Sequence, residues 1–318
     1  MRNARQFVLA ATAVATSFLL LGIGTLRARP ENPGKPDPQK PVPATDTVLV
    51  KKVTLKGRPA GGGGGKKRVE AATGTLGQDF AGTRHALIVG ISDYPGDGSD
   101  LAYADVDATE MANVLTRVYG FTDVQLLTNW GATRSAILNA IAALGESAGA
   151  DDEVVFFFSG HGMNGAAGDG DDERTDEAIV TQDDTCTEFL PIWDGELKQA
   201  FSEFATTRII FIFDSCLSGG MDDLQATGRV ILMACGEHGY SYEGSQWENG
   251  EFTYYFAHYA LDGGLANDHD YNGDGVLHEE LQVTAEEAFD YTKANCDLDR
   301  PVISDSFTDD LLFVPQEK

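Results

Sequence analysis

Cysteine is scarce, with four in 318 residues. That is too few to staple a fold of this size, so a disulfide scaffold is excluded and the chain must hold together by burying apolar surface. Basic side chains are also few, 23 Lys and Arg against 50 Asp and Glu, for a formal charge of −27. A basic nucleic-acid binder is excluded on that count. Apolar residues are not lacking: 42% of the chain is hydrophobic and 9% aromatic, which excludes a chain disordered throughout and supplies one large domain or two modest ones.

The charge is uneven. Up to Arg68 there are 13 basic and 3 acidic residues, a net of +10, and the remainder carries 10 and 47, a net of −37. A basic, low-complexity leader therefore precedes an acidic body, whose field repels polyanions and attracts cations and basic peptides, or else adapts the protein to salt. Within residues 1–28, Arg2 and Arg5 precede an uncharged run from Phe7 to Leu26, closed by Arg27. This pattern predicts an export segment, either a signal peptide cleaved after a small-residue site at Gly22 and Gly24 or an uncleaved anchor. Either form puts the body outside the cytoplasm, secreted, periplasmic or tethered at the surface, and the anchor would be its one membrane contact. Residues 29–82 are rich in Pro, Gly, Lys and Thr, with five glycines from Gly61 to Gly65; they read as a disordered linker in which Val48 to Leu55 alternates weakly. Lys51, Lys52 and Arg68 lie in it, within a stretch open to a protease that cuts after basic residues.

Residues 83–318 read as the folded body. His85 to Ile91, Val124 to Leu127, Glu153 to Phe158, Glu177 to Thr181, Arg208 to Phe213 and Arg229 to Ala234 are short apolar runs of strand character. Between them Met111, Val114, Leu115 and Val118 share one helix face, Thr133 caps a second helix with Ile137, Ile141 and Leu144, and Trp193, Leu197, Ala200, Phe201 and Phe204 recur at helical spacing. Such alternation implies right-handed crossovers and an α/β, doubly wound, mostly parallel sheet with helices on both faces. Ligands in such sheets bind beyond the carboxyl ends of the strands.

Two motifs fall there. Ser159-Gly-His161-Gly162 follows the strand ending at Phe158, and Asp214-Ser-Cys216 follows the strand ending at Phe213. A thiol needs a base to become a nucleophile, an imidazole can serve, and the main chain at Gly162 and Cys216 can offer amides to an oxyanion. Taken singly, a strand-end Cys is usually inert and a lone His usually structural; their joint placement is what argues for chemistry.

Together with Ala86 to Ile91, Leu101 to Asp107, Phe156 to Gly162, Asp176 to Ile179 and Phe211 to Cys216, these motifs resemble the caspase-like cysteine peptidases over residues 84 to 235. Asp214-Ser-Cys216 departs from the Gln-Ala-Cys of animal caspases and looks more like metacaspases and prokaryotic orthocaspases. The resemblance implies a caspase-like fold and hydrolysis of peptide bonds by His161 and Cys216. It also implies an acidic first pocket for Arg or Lys at the positions of Asp105, Ser159 and Asp214. The loop from Asp93 to Asp107 holds five aspartates and no arginine, which argues against selection of aspartate. Rival readings are a catalytically silent calcium-binding interaction module on the same fold, or the same enzyme with an Asp or Asn preference. The expected partner is a peptide or protein with a basic residue before the cut.

Other residues carry less. Cys235 reads as core, while Cys186 and Cys296 either pair after export or stay free. His85 and His258 read as structural, and His238, with Glu237, Ser241 and Glu243, either borders the cleft or is plain surface. Asp268 to Glu280 looks like a calcium loop, with oxygen donors at alternate positions and a glycine at the turn. Its register is open: a start at Asp270 uses Asn272 and Asp274 but places Leu281 where the closing acid belongs, and a start at Asp268 brings Glu279 there. The metacaspase resemblance also implies an activating calcium near Asp176, Asp194, Asp222 and Asp223. Ca2+ is thus the expected cofactor, against solvated acidic loops.

Overall fold

A computed structural model describes residues 47–50, 53–54, 82–166, 175–266, 283–308 and 311–313. The proposed export segment and the 268–280 loop lie outside them. Among the described residues no helix is long and apolar enough to cross a membrane.

The core is a six-stranded sheet. Its strands are β3 (Arg84–Gly90), β4 (Asp123–Thr128), β5 (Glu153–Ser159), β9 (Ile209–Asp214), β10 (Arg229–Met233) and β14 (Val302–Asp305), in the order β14-β10-β9-β5-β3-β4. Five run parallel and β14 closes one edge antiparallel. The central strands are apolar throughout because both faces are buried. Ala86 and Ile88 of β3 and Val155 and Phe157 of β5 pack on one side with Met111 and Leu115 of α1 (Ala104–Arg117). Leu87, Val89, Phe156 and Phe158 pack on the other with Ile137 and Ile141 of α2 (Arg134–Ser147) and Leu197 of α3 (Asp194–Ala200). The expected caspase-like α/β architecture is present. Thr133 caps α2 as its sequence implies, its hydroxyl accepting from the Ala136 amide at 3.2 Å.

Three smaller sheets differ from the expectation of a single one. β2 (Val53–Thr54), β6 (Gly162–Gly165), β7 (Asp176–Gln182) and β8 (Phe189–Trp193) form a four-stranded sheet, β1 (Thr47–Val50), β11 (Ser241–Gly244) and β12 (Asn249–Gly250) a three-stranded one, and β13 (Val283–Thr284) pairs with β15 (Leu312–Phe313). The apolar run at 177–181 therefore leaves the central sheet and pairs antiparallel with β6 and β8. The third helix is shorter than its apolar spacing suggests, since Trp193 closes β8 instead of opening the helix. The aromatic stretch near His258 is helical but wide: α4 (Glu251–Thr253) runs on as a π-helix over Tyr254–Asp262, and α5 (Ala285–Asn295) packs beside it.

Candidate active site

The carboxyl ends of β5 and β9 lie side by side, with Ser159 opposite Asp214. Two residues further on, the chains stay together. A Cβ built at Gly162 would stand 1.8 Å from the Cys216 carbonyl oxygen and 3.5 Å from its amide nitrogen, so only glycine lets the backbones close to this distance. His161 and Cys216, 55 positions apart, are thus brought to one rim of the sheet.

The imidazole is held from several sides. Its Nε2 lies 2.7 Å from the Ser99 carbonyl, which can only accept, so Nε2 bears the hydrogen. The His161 amide donates to the Tyr94 hydroxyl at 3.0 Å, that hydroxyl donates to the Val180 carbonyl at 3.0 Å, and the two rings sit 4.7 Å apart. Cys216 is 1% exposed, with Sγ 3.8 Å from the Ser241 carbonyl. Burial, outweighing the opposing contact with the Ser241 carbonyl, pushes its thiol well up and keeps it protonated in this form. The next residue, Leu217, has φ of 63°. A left-handed leucine is costly, of order 1–3 kcal/mol, and such strain collects where a neighbouring side chain must be aimed.

Beside the pair is an acidic floor. Asp214 Oδ1 accepts from the Ser241 hydroxyl at 2.5 Å, and Oδ2 accepts from the Thr253 amide and hydroxyl at 3.1 and 2.7 Å. The Ser159 hydroxyl donates at 2.7 Å to Asp107 Oδ2, whose Oδ1 accepts from Asn249 Nδ2 at 3.0 Å and the Gly250 amide at 2.9 Å. A Cβ at Gly250 would fall 2.3 Å from Asp214 Oδ2 and 3.1 Å from Asp107 Oδ2, so the two carboxyls flank one glycine. Burial first, then mutual repulsion, raises Asp107 well above the usual carboxylate range; burial likewise raises Asp214.

A caspase-domain family model matches residues 83–269 of the chain, more than half its length. The chain belongs to the caspase-domain family. It is 33% identical over 151 residues to Metacaspase-4 of Arabidopsis thaliana, covering 44% of this chain and 35% of that one, and 34% identical over 152 residues to Metacaspase-1 of Pyricularia oryzae, covering 45% and 38%. It therefore spans well under half the length of these relatives. In fold it is similar to protein GSU0716 of Geobacter sulfurreducens, with a TM-score of 0.53 at 17% identity over 74% of this chain and 97% of that one.

On this caspase domain Ser159 and Asp214 fall together as expected, but Asp105 does not join them. Its carboxylate accepts from the Ser92 hydroxyl at 2.7 Å and Asn129 Nδ2 at 3.1 Å, tying the loop after β3 to the end of β4. The acid bonded to Ser159 is Asp107. The reason is helical geometry: both acids lie in the first turn of α1, and two positions rotate a side chain about 200° around the axis. Ser241 and Glu243 border the site. Glu243 anchors the 102–103 turn by accepting the Ala102 and Tyr103 amides at 2.7 and 3.0 Å, and burial raises it to about 7. His238 is exposed. Asp107, Asn249, Gly250, Tyr94 and the Ser99 carbonyl were not singled out from sequence; for Asp107 an i, i+2 alternative in the same first turn was the available signal.

Asp176 and Asp194 are buried, and Asp222 and Asp223 lie on the helical turn Ser218–Leu224 that follows Cys216. β7, α3 and this turn pack together, so the acids come from adjoining elements, but no three of these carboxylates stand close enough together to share one ion. All four cysteines are free thiols, Cys186 and Cys296 among them. His85 bridges Asp123 and Asp152, and His258 meets Glu110, both structural contacts.

Proposed function

We propose that the protein is a cysteine endopeptidase that hydrolyses peptide bonds after Arg, and after Lys less well. The meeting of His161-Gly162 with Cys216 carries this reading. In the reaction His161 Nδ1 takes the Cys216 proton and sulfur adds to the scissile carbonyl. The Gly162 and Cys216 amides receive the oxyanion, and the imidazolium returns the proton to the departing amine. Water then displaces the acyl group from sulfur with the same base. The Ser99 carbonyl orients the ring and supports its charged form.

Asp107 and Asp214, with Ser159 between them and no cation bonded to either among the described residues, suit a guanidinium that restores both charges. Calcium is the proposed cofactor: Asp176, Asp194, Asp222 and Asp223 would hold it only by drawing together from their adjoining elements. Export by residues 1–28 and self-cutting in the basic linker belong to the same proposal. The test is hydrolysis of Arg, Lys, Asp and Asn fluorogenic peptides with and without calcium. Turnover of only the Asp or Asn peptide would overturn the pocket, and undiminished turnover in Cys216→Ala would overturn the mechanism and revive the silent module.

A further inference from the structure

An acid must be charged to take a guanidinium, and burial and the neighbouring Asp214 both oppose this at Asp107. Three donors work the other way: the Ser159 hydroxyl, the Gly250 amide and Asn249 Nδ2. The Gly250 amide is main chain and cannot turn away. Asn249 reaches Asp107 through a carboxamide, which donates from one end and accepts at the other, so its effect depends on which end faces the acid. That end is fixed from outside the pocket. Asn249 Nδ2 also donates at 2.9 Å to Glu110 Oε2, and Asp107 and Glu110 are three positions apart on α1, neighbours on one face. Both hydrogens of the NH2 group are thus spent, one on each acid. Glu110 is held in turn by His258, whose Nδ1 lies 2.9 Å from Oε1 and whose ring stacks on Tyr254 at 5.8 Å. Asn249 is 6% exposed and follows Glu248, whose φ of 55° is left-handed, a costly backbone of the kind that aims a neighbouring side chain.

We propose that Asn249 sets the preference for arginine by donating to Asp107, and that Glu110 is a positioning residue that holds the Asn249 NH2 group toward it. The inference rests on the peptidase reading and on the pocket of Asp107 and Asp214. With Glu110 in place, a turned carboxamide would set its oxygen against two acceptors in a buried site, leaving all of them unsatisfied. With Glu110 absent, the turned carboxamide accepts from a protonated Asp107, and the pocket loses one of its two charges. The effect falls on affinity for a charged side chain and not on His161 or Cys216, so it belongs to KM and not to kcat.

The test uses the full chain, a fluorogenic peptide with Arg before the cut, and as competitor the same peptide with citrulline, which has arginine's length and a neutral end. Asn249→Leu should raise KM for the Arg peptide about tenfold, as expected for one hydrogen bond to a charged group, with kcat and the inhibition constant of the citrulline peptide nearly unchanged. Glu110→Leu, at a partly exposed position outside the pocket, should raise the same KM about threefold, because a carboxamide free to turn spends part of its time reversed. Glu110→Gln, whose carbonyl oxygen still accepts, should restore it. In Asn249→Leu/Glu110→Leu the second change should add nothing, since Glu110 acts only through Asn249. An unchanged Arg KM in Asn249→Leu, a citrulline constant that rises with it, or a Glu110→Leu effect that persists in the double variant overturns the inference. If Asn249→Leu shows no cooperative melt, Glu110→Leu decides alone, and a wild-type KM there overturns it. Absence of turnover by the wild type, with Cys216 unlabelled by a thiol probe, would instead overturn the peptidase reading.

Discussion

A methyl group at position 162 has no room, because it would meet the Cys216 carbonyl oxygen at 1.8 Å. Gly162→Ala is expected to cost about 1–3 kcal/mol in a thermal melt and to abolish peptide hydrolysis, since the backbones on either side of the reacting pair must part. A folded variant with wild-type turnover would place Gly162 away from the chemistry. Asp107 and Asp105 give an opposed pair of outcomes. Asp107→Asn replaces a carboxyl whose ionisation burial disfavours, so its melting temperature at pH 8 should hold or rise while kcat/KM on an Arg peptide falls about 30-fold, the effect of about 2 kcal/mol for losing one partner of a buried pair. Asp105→Asn should leave kcat/KM nearly unchanged and lower the melting temperature, because Ser92 and Asn129 lose a charged acceptor. The reverse pattern would restore Asp105 to the pocket. Sequence placed His161 and Cys216 correctly at strand ends, because strand direction alone sends such residues to one rim. It set Asp105 beside Ser159 where the fold sets Asp107, because two aspartates in one turn differ only in azimuth.

At the scale of elements, the apolar runs that are buried on both faces were legible as strands, and the capped, periodic runs as helices. The short strands were not. β6, Gly162–Gly165, and β12, Asn249–Gly250, have no pattern of their own and are strands only because β7 and β11 pair with them. Helix α5 has a complete capping box: the Thr284 hydroxyl accepts from the Glu287 amide at 2.9 Å and the Glu287 carboxylate accepts from the Thr284 amide at 3.2 Å. Thr284→Ala should destabilise the protein by about 1 kcal/mol in denaturant unfolding. A loss below the error of that measurement would show that packing alone holds the helix start.

For the whole molecule, burial sets the response to pH. Burial raises Glu243 and Asp290 to about 7, and Asp107, Asp214 and Asp299 are raised as well, against ordinary carboxyl values near 4 in the unfolded chain. A carboxyl raised on folding binds its proton more tightly in the native state, so stability falls as pH rises from about 4.5 through 7. Net repulsion from a charge of −27 acts in the same direction. The melting temperature is therefore expected to be higher at pH 5.5 than at pH 8, and calcium should recover part of the difference at pH 8. A melting temperature that falls on acidification across this window would refute the buried-acid account.

Alternation of apolar runs with helical periods determined the layered α/β body, because burial on two faces needs no information beyond the pattern itself. The same pattern set the direction of each strand and so the rim on which the thiol and imidazole meet. Only the folded chain decided which acid stands beside Ser159, which carbonyl holds the imidazole, and that the stretch before the body supplies a strand to each of two smaller sheets. Those choices depend on the rotation of a helix, the aim of a loop and the open edges of strands, and each is settled by contacts between residues far apart in the chain.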